Sequence, residues 1–376
     1  MASPHGPENI KRRQAALDQT LKQAGLEALA LNAGKSQIYF TGLHFHLMER
    51  PTLSIFAPGQ APVLVLPELE QGKLGSLGYE VQAFTYSEDP AQWGEAFAAA
   101  GAALGLGKAR IGVEPTVLRV LELRYLEAAL PEAEFVDGSA VIAALRGRKD
   151  AAEVAAMQRA AQIAEEALLA TLPKVKVGAT EKELAAELVG QLLSLGSDPE
   201  LPFQPIVAAG PNSANPHAGY SERALQAGDL LLFDWGAAVD GYYSDITRTF
   251  AIGEIDEELK RIYGIVELAN QAGRTAVKSG ATPEAVDAAA RDVIEDSGYG
   301  EFFFHRTGHG LGMEAHEEPY IRAGNREPLE VGNTFTVEPG IYLEGRGGVR
   351  IEDDVVVTED GLLCLTQLPR GLQVLG

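Results

Sequence analysis

Gly228-Asp-Leu-Leu-Leu-Phe-Asp234-Trp-Gly236 is a β-type run, led by glycine and ended by an acid with a second glycine two positions on. Further along, Gly332-Asn-Thr-Phe-Thr-Val-Glu338-Pro-Gly340 repeats the phrase. Each copy is followed by another acid in an apolar setting, Asp245 and Glu352. A lone Asp at a strand end is ordinarily solvated. Four acids in two copies of one unit are another matter, because buried carboxylates must be paired or metal-bound. The repeat therefore predicts a shared positive centre.

Asp240-Gly241 lies between the alternating runs Leu230–Ala237 and Tyr242–Phe250, a strong signal for a two-residue hairpin turn. In that hairpin Val239 pairs with Tyr242, so Gly236 pairs with Asp245. Asp234 shares the face of Gly236, which makes Asp234 and Asp245 diagonal neighbours roughly 7–8 Å apart. Gly236 is expected to leave room for an ion. In the second copy, Thr334–Tyr342 and Gly348–Val357 form strands around a glycine-rich turn. Arg350 and Glu352 point to the same side, placing a cation beside the acids.

Outward from these hairpins the chain changes character near Arg146-Gly-Arg-Lys-Asp150. Before that point, helical periodicity over 8–24 is stopped by Gly25. Short apolar runs read as strands at Ala28–Leu31, Ile38–Phe40, Leu53–Phe56 and Pro62–Leu66. A helix over 91–104, a strand at Arg110–Val113, a helix near Leu118–Ala129 and a strand at Glu134–Asp137 follow. This part, residues 1–147, is expected to be an α/β domain with a mixed or mostly parallel sheet. Residues 148–376 begin with an Ala- and Glu-rich helix from Ala151 to Leu172, closed by Pro173. Thr180-Glu-Lys-Glu183 is a capping box for a helix to Leu195, and Thr282-Pro283-Glu284 opens another to Ser297. Both follow the same Gly-Ala pair. Helix then strand pair, occurring twice, predicts an α+β domain of two related halves.

The chain has 376 residues, 46% hydrophobic and 22% charged, with a formal net charge of -22. Such acidity disfavours phosphate backbones and anionic membrane surfaces, so no nucleic-acid or membrane partner is expected. The one cysteine, Cys364, cannot form an internal disulfide and suits a reducing compartment. No apolar run is long enough for a membrane span. The opening Met1-Ala-Ser-Pro-His-Gly-Pro lacks the layout of a signal peptide. A cytoplasmic location is expected.

Three of the seven histidines fall in Phe304-His-Arg-Thr-Gly-His309-Gly-Leu-Gly-Met-Glu-Ala-His316. Glycines flanking His309 permit close backbone approach. One imidazole with four carboxylates suits two divalent ions of intermediate hardness, Mn²⁺ first, with Co²⁺ or Zn²⁺ as alternatives. Asp234, Asp245, His309, Glu338 and Glu352, in that order and with the Gly-His-Gly-Leu-Gly setting, resemble the five-ligand site of the M24 "pita-bread" metallopeptidases. That family includes methionine aminopeptidase, Xaa-Pro aminopeptidase, Xaa-Pro dipeptidase (prolidase) and the non-peptidase creatinase. Ile38-Tyr-Phe-Thr-Gly-Leu43 is similar to a segment of their creatinase-like N-terminal domain.

The resemblance implies a pita-bread catalytic domain over residues 148–376. It implies that Asp234 holds one ion, that His309 and Glu338 hold the other, and that Asp245 and Glu352 bridge them. Such ions lower the pKa of a nucleophilic water and polarise the scissile carbonyl. Glu338 would shuttle protons, His316 would stabilise the tetrahedral intermediate, and His217 would contact substrate near the scissile bond. His305 and Arg350 match positions that proline-specific members use around the proline and its carboxylate. An Xaa-Pro bond lacks an amide N–H, which gives a reason for a dedicated enzyme.

The two-domain length fits small prokaryotic Xaa-Pro aminopeptidases and prolidases alike. The expectation placed first is an Xaa-Pro aminopeptidase; the alternative is a prolidase restricted to dipeptides. A creatinase-like amidinohydrolase or an inactive binding module would each have lost ligand positions that this chain keeps. A homodimer is expected, in which the loop His44-Phe-His46-Leu-Met-Glu-Arg50 either reaches a partner's site or is a plain surface loop.

Overall fold

The α/β and α+β architectures expected for the two parts of the chain are both present in the computed structural model, which describes residues 3–376. Met1 and Ala2, the head of the segment read for a signal peptide, lie outside the described residues. The chain divides into units Met1–Arg146 and Gly147–Gly376.

In the first unit the elements run α1 (Pro7–Ala24), β1 (Ala28–Asn32), α2 (Lys35–Thr41), β2 (Leu53–Phe56), β3 (Val63–Pro67), β4 (Gln82–Tyr86), α3 (Pro90–Leu104), β5 (Arg110–Val113), α4 (Val120–Ala129), β6 (Glu134–Asp137) and α5 (Ser139–Arg146). Six strands make one mixed sheet in the order β4-β3-β2-β1-β5-β6. Leu53, Ile55, Val63, Val65, Phe97 and Ile111 are buried in its core, each contributing about 1.5–3 kcal/mol over an exposed side chain.

One expected strand is absent. Ile38–Phe40 belongs to α2, a seven-residue helix ended by Gly42 in the left-handed conformation (φ 68°). Every residue from Ser36 to Thr41 is buried, so no polar face marks the helical period. A short, wholly buried helix cannot be told from a buried strand by periodicity. The Thr41 hydroxyl donates back to the Gln37 carbonyl (2.6 Å), and the Gln37 amide donates to Ser54 Oγ (2.8 Å).

The second unit continues with α6 (Ala151–Thr171), α7 (Glu181–Ser194), β7 (Ile206–Ala209), β8 (Leu230–Trp235), β9 (Ala238–Val239), β10 (Tyr242–Tyr243), β11 (Ile246–Ile252), α8 (Glu257–Ala276), α9 (Pro283–Asp296), β12 (Gly308–Gly310), β13 (Glu317–Ile321), β14 (Thr334–Val337), β15 (Gly340–Leu343), β16 (Gly347–Arg350), β17 (Asp353–Thr358), β18 (Gly361–Cys364) and β19 (Val374–Leu375). The two capping signals open helices as expected, Thr180 for α7 and Thr282 for α9. Sequence reasoning missed α8. Its Asp256 cap accepts from the Glu258 and Leu259 amides, as the Asp150 cap of α6 does from Ala152 and Glu153. The duplicated unit is therefore a helix pair followed by a strand pair, longer than the repeated phrases revealed. One half contributes the strands β11-β8-β7, with the C-terminal β19 added beside β11, and the other contributes the sheet β13-β12-β14-β17-β18.

Candidate metal centre

Asp240 (φ 52°) and Gly241 (φ 73°) take the left-handed conformations that a tight type I′ hairpin requires. Tyr242 pairs with Val239, and below the turn Ile246 pairs with Trp235 and Thr247 with Asp234. The register is continuous, so Asp245 stands across from Gly236 and Thr247 from Asp234. The reason for Gly236 differs from expectation. A Cβ there would strike the Ser244 carbonyl oxygen, so the glycine serves close approach of two strands rather than room for an ion.

In the second hairpin Val337 pairs with Asp353 and Gly340 with Arg350, which sets Glu338 across from Glu352. The second acids therefore do not occupy matching places. Across from the glycine stands Asp245 in one hairpin and Arg350 in the other. Across from the first acid stands Thr247 in one and Glu352 in the other.

These side chains converge. Thr247 Oγ1 donates to Glu352 Oε2 (2.6 Å) and accepts from Arg350 Nε (3.1 Å). Arg350 also donates to Asp234 Oδ2 (2.5 Å) and to the Tyr342 hydroxyl (2.9 Å). From β12, His309 Nε2 lies 3.2 Å from Glu338 Oε1 and 3.8 Å from Asp245 Oδ2. Ligand atoms of Asp245, His309 and Glu352 all lie within 4.8 Å of one another. Glycine on either side of His309 is required, since a Cβ at Gly308 or Gly310 would strike a neighbouring carbonyl. His309 Nδ1 faces the Gly310 carbonyl oxygen (3.2 Å). A carbonyl only accepts, so Nδ1 carries a proton, which leaves Nε2 as the ring atom that meets the acids, placed as a metal ligand's would be.

The acids are not alike electrostatically. Burial, then Glu352 and Asp234, pushes the Asp245 carboxyl well up. Burial, then Glu338 and Asp234, does the same for Glu352. Asp234 is raised by burial, against the pull of Arg350. At Glu338 burial is outweighed by the hydrogen bond and charge of His309, which hold it down to about 2. Next to Glu352, Asp353 binds Arg248 (2.8 Å) and Arg370 (2.7 Å) and pins β17.

A cavity of about 940 Å³ opens over the cluster, lined by all five of these residues and by His217, His305, Arg306, Glu314, His316 and Arg350. His305 Nδ1 faces the Arg306 carbonyl oxygen (2.7 Å), so it carries the ring proton and Nε2 accepts from Tyr342 OH (2.8 Å). Burial lowers the His305 pKa, consistent with this neutral form. Arg306 Nη2 donates to His316 Nδ1 (3.2 Å), leaving the His316 proton on Nε2. Burial, then His309 and Arg306, lowers His316 to about 4, so it is a neutral donor near pH 7. Lys149 forms a buried ion pair with Glu317, beside His316.

Sequence reasoning singled out neither Thr247, Tyr342, Arg306 nor Asp354. Asp354 accepts from the Asp245 amide (3.0 Å). Thr247 was legible: it lies two residues from Asp245, hence on the same face. Arg306 carried no spacing signal.

Residues 155–359 match metallopeptidase family M24. The chain belongs to that family. Residues 13–147 match the creatinase/prolidase N-terminal domain. Among M24 relatives, a "Probable dipeptidase PepE" of Mycobacterium tuberculosis is 38% identical over 98% of this chain and 97% of its own length. An Xaa-Pro dipeptidase of Lactobacillus delbrueckii subsp. lactis is 36% identical over 96% of this chain and 98% of its own. Among solved structures, the prolidase of Thermococcus sibiricus superposes with a TM-score of 0.91 at 35% identity, covering 98% of this chain and all of that one. An X-Pro aminopeptidase of Thermotoga maritima gives 0.84 at 32%, covering 96% and 99%.

M24 metallopeptidases hydrolyse peptides with divalent metal ions, and the residues here fit that requirement. Asp234 Oδ1 and Asp245 Oδ1 are buried without a hydrogen-bond partner. Buried carboxylate oxygens left without a partner in such a cluster are costly unless a cation joins them.

Proposed function

We propose that this M24 metallopeptidase is an Xaa-Pro dipeptidase whose two divalent ions, with Mn²⁺ as first candidate, are held by Asp234, Asp245, His309, Glu338 and Glu352. The observation that carries the reading is the meeting of these five side chains, two with orphaned oxygens, on the floor of one cavity. When bound, such ions polarise the scissile carbonyl and acidify the attacking water. Glu338, ionised at neutral pH, takes the water's proton and returns it to the proline nitrogen as that bond breaks. His316 presents Nε2–H to the oxygen that gains charge, a contribution of the oxyanion-hole kind. His217, exposed on the cavity wall, contacts substrate beside the scissile bond.

Relatives named Xaa-Pro dipeptidase reverse the order expected from sequence, where the aminopeptidase stood first. A feature of the cavity supports the same choice. Two guanidinium groups line it. Arg350, expected to bind substrate, has Nε, Nη1 and Nη2 engaged by Thr247, Tyr342 and Asp234. Its role is to hold the cradle. Arg306, stacked over Tyr320 at 4.4 Å, stands at the wall, where it offers a counter-charge to a carboxylate just after proline. A dipeptide has that carboxylate and a longer peptide does not.

The test compares Ala-Pro with Ala-Pro-Ala after Mn²⁺ loading. Cleavage of Ala-Pro with little of Ala-Pro-Ala is expected. Comparable cleavage of both restores the aminopeptidase, and cleavage of neither overturns the Xaa-Pro reading.

A further inference from the structure

One buried carboxylate in this unit takes no part in the chemistry described so far. Glu181, the first residue of α7, is fully buried and is not among the residues lining the cavity. Its Oε1 accepts from the Ala209 amide (2.7 Å) and from Asn212 Nδ2 (3.0 Å). Its Oε2 accepts from the Ser221 amide (2.9 Å) and the Ser221 hydroxyl (2.5 Å). Asn212 also reaches Oε2 (3.2 Å). Ala209 ends β7, and the chain from there to Ser221 contains no further strand, only a short 3₁₀ turn. Both ends of this loop are thus stapled to the same carboxylate. The inner wall of the loop, Pro216 to Tyr220, lines the cavity and carries His217.

The connection to His217 is traceable bond by bond. Glu181 holds the Asn212 side chain, the Asn212 carbonyl accepts from the Asn215 amide (3.1 Å), and Asn215 Oδ1 accepts from the His217 amide (3.1 Å). The donors on Glu181 are two backbone amides, a side-chain amide and a hydroxyl. A carboxylate has only acceptors and can serve all of them; an amide in its place would turn donors against donors. Bonds to an ionised acceptor are also the stronger kind.

We infer that Glu181 is a positioning residue for peptide cleavage, fixing the His217 loop against the cavity without touching substrate. The inference rests on the proposed Xaa-Pro activity. Its consequence is that loss of the carboxylate acts through His217 and leaves the metal cradle intact.

The experiment measures Ala-Pro hydrolysis and metal content for E181Q, H217A and the double variant, all Mn²⁺-loaded. E181Q is expected to keep the wild-type metal content and to lose about 10–100-fold in kcat/KM, the size typical of outer-shell partners. In the H217A background E181Q is expected to cost little more, since the two lie on one path. E181D is expected to recover part of the loss. N212A, which breaks the path while leaving Glu181 bonded to Ala209 and Ser221, should show a smaller loss with the same non-additivity, and decides the matter if E181Q does not fold. Wild-type turnover by E181Q or, failing its folding, by N212A overturns the inference. So does a loss that adds in full to that of H217A, or one that tracks metal content. Wild-type inactivity on Ala-Pro would instead overturn the functional reading itself.

Discussion

The hairpin from Leu230 to Ile252 and the hairpin from Thr334 to Thr358 follow one backbone plan. In each, an outer strand pair (β8 with β11, β14 with β17) is joined to an inner pair (β9 with β10, β15 with β16) across a break in unbroken register. The first hairpin places Asp245 and Thr247 where the second places Arg350 and Glu352. Duplication thus supplied the frame, while the charges at matching places diverged. Arg350 takes the place of an acid and neutralises Asp234 across the seam. Thr247, standing where the other copy has an acid, bridges Arg350 and Glu352 with one hydroxyl. Acids at all four of these matching places would have raised the carboxylates from four to six and concentrated repulsion. The divergent pair leaves a cluster that two cations can balance.

Substitutions that blur this asymmetry test it. Glu352→Gln removes the acid peculiar to the second hairpin, and should lower kcat/KM on an Xaa-Pro dipeptide by at least the roughly 10²–10³-fold of a lost oxyanion donor. Steady-state kinetics after Mn²⁺ loading measures it. The exchange of signs at the matching places gives opposite effects on the metal-free chain. Arg350→Met leaves Asp234 buried without its partner and should cost about 3–5 kcal/mol, while Asp245→Asn relieves a carboxyl pushed up by burial and its neighbours and should raise stability. Urea unfolding in chelator distinguishes the two. Shifts in one direction would mean that the places are not counterparts.

Thr247→Val should weaken metal affinity by about 10–100-fold, as loss of an outer-shell bond does, with competition against a metal indicator as readout. The smallest effect is one of pH. Asp245 and Glu352 have folded-state pKa values above their unfolded ones. Their contribution to the metal-free fold is therefore complete below the unfolded values and is lost as pH rises through the folded ones. Bound cations remove that penalty, so the Tm gap between loaded and chelated protein should widen from pH 5 to pH 8. A gap that narrows would contradict the electrostatic account.

Much of the site was legible because it rests on rules of short range. The Asp240-Gly241 turn fixed one register, and strand alternation then put Asp234, Asp245 and Thr247 on one face. The capping residues Thr180 and Thr282 announced their helices for the same local reason. What escaped reading depends on tertiary contact. Wholly buried α2 shows no period. Arg306 gains its meaning only by donating to His316, ten residues away in the chain and adjacent in space. Arg350 was expected to contact substrate, and its spacing from Glu352 shows the face but not that Thr247, Tyr342 and Asp234 meet its fork. Gly236 looked like space for an ion because its chemistry is an absence, and only the Ser244 carbonyl pressed against it tells what the absence is for.

The central claim is that two diverged hairpins make one cradle for two ions. Counting them tests it most directly: mass spectrometric metal analysis of protein loaded with Mn²⁺ and freed of excess. The account predicts two ions per wild-type chain, and fewer in Asp245→Asn, which removes a ligand expected to serve both. Two tightly held ions in that variant, or full peptidase activity in a wild-type chain holding none, would contradict it.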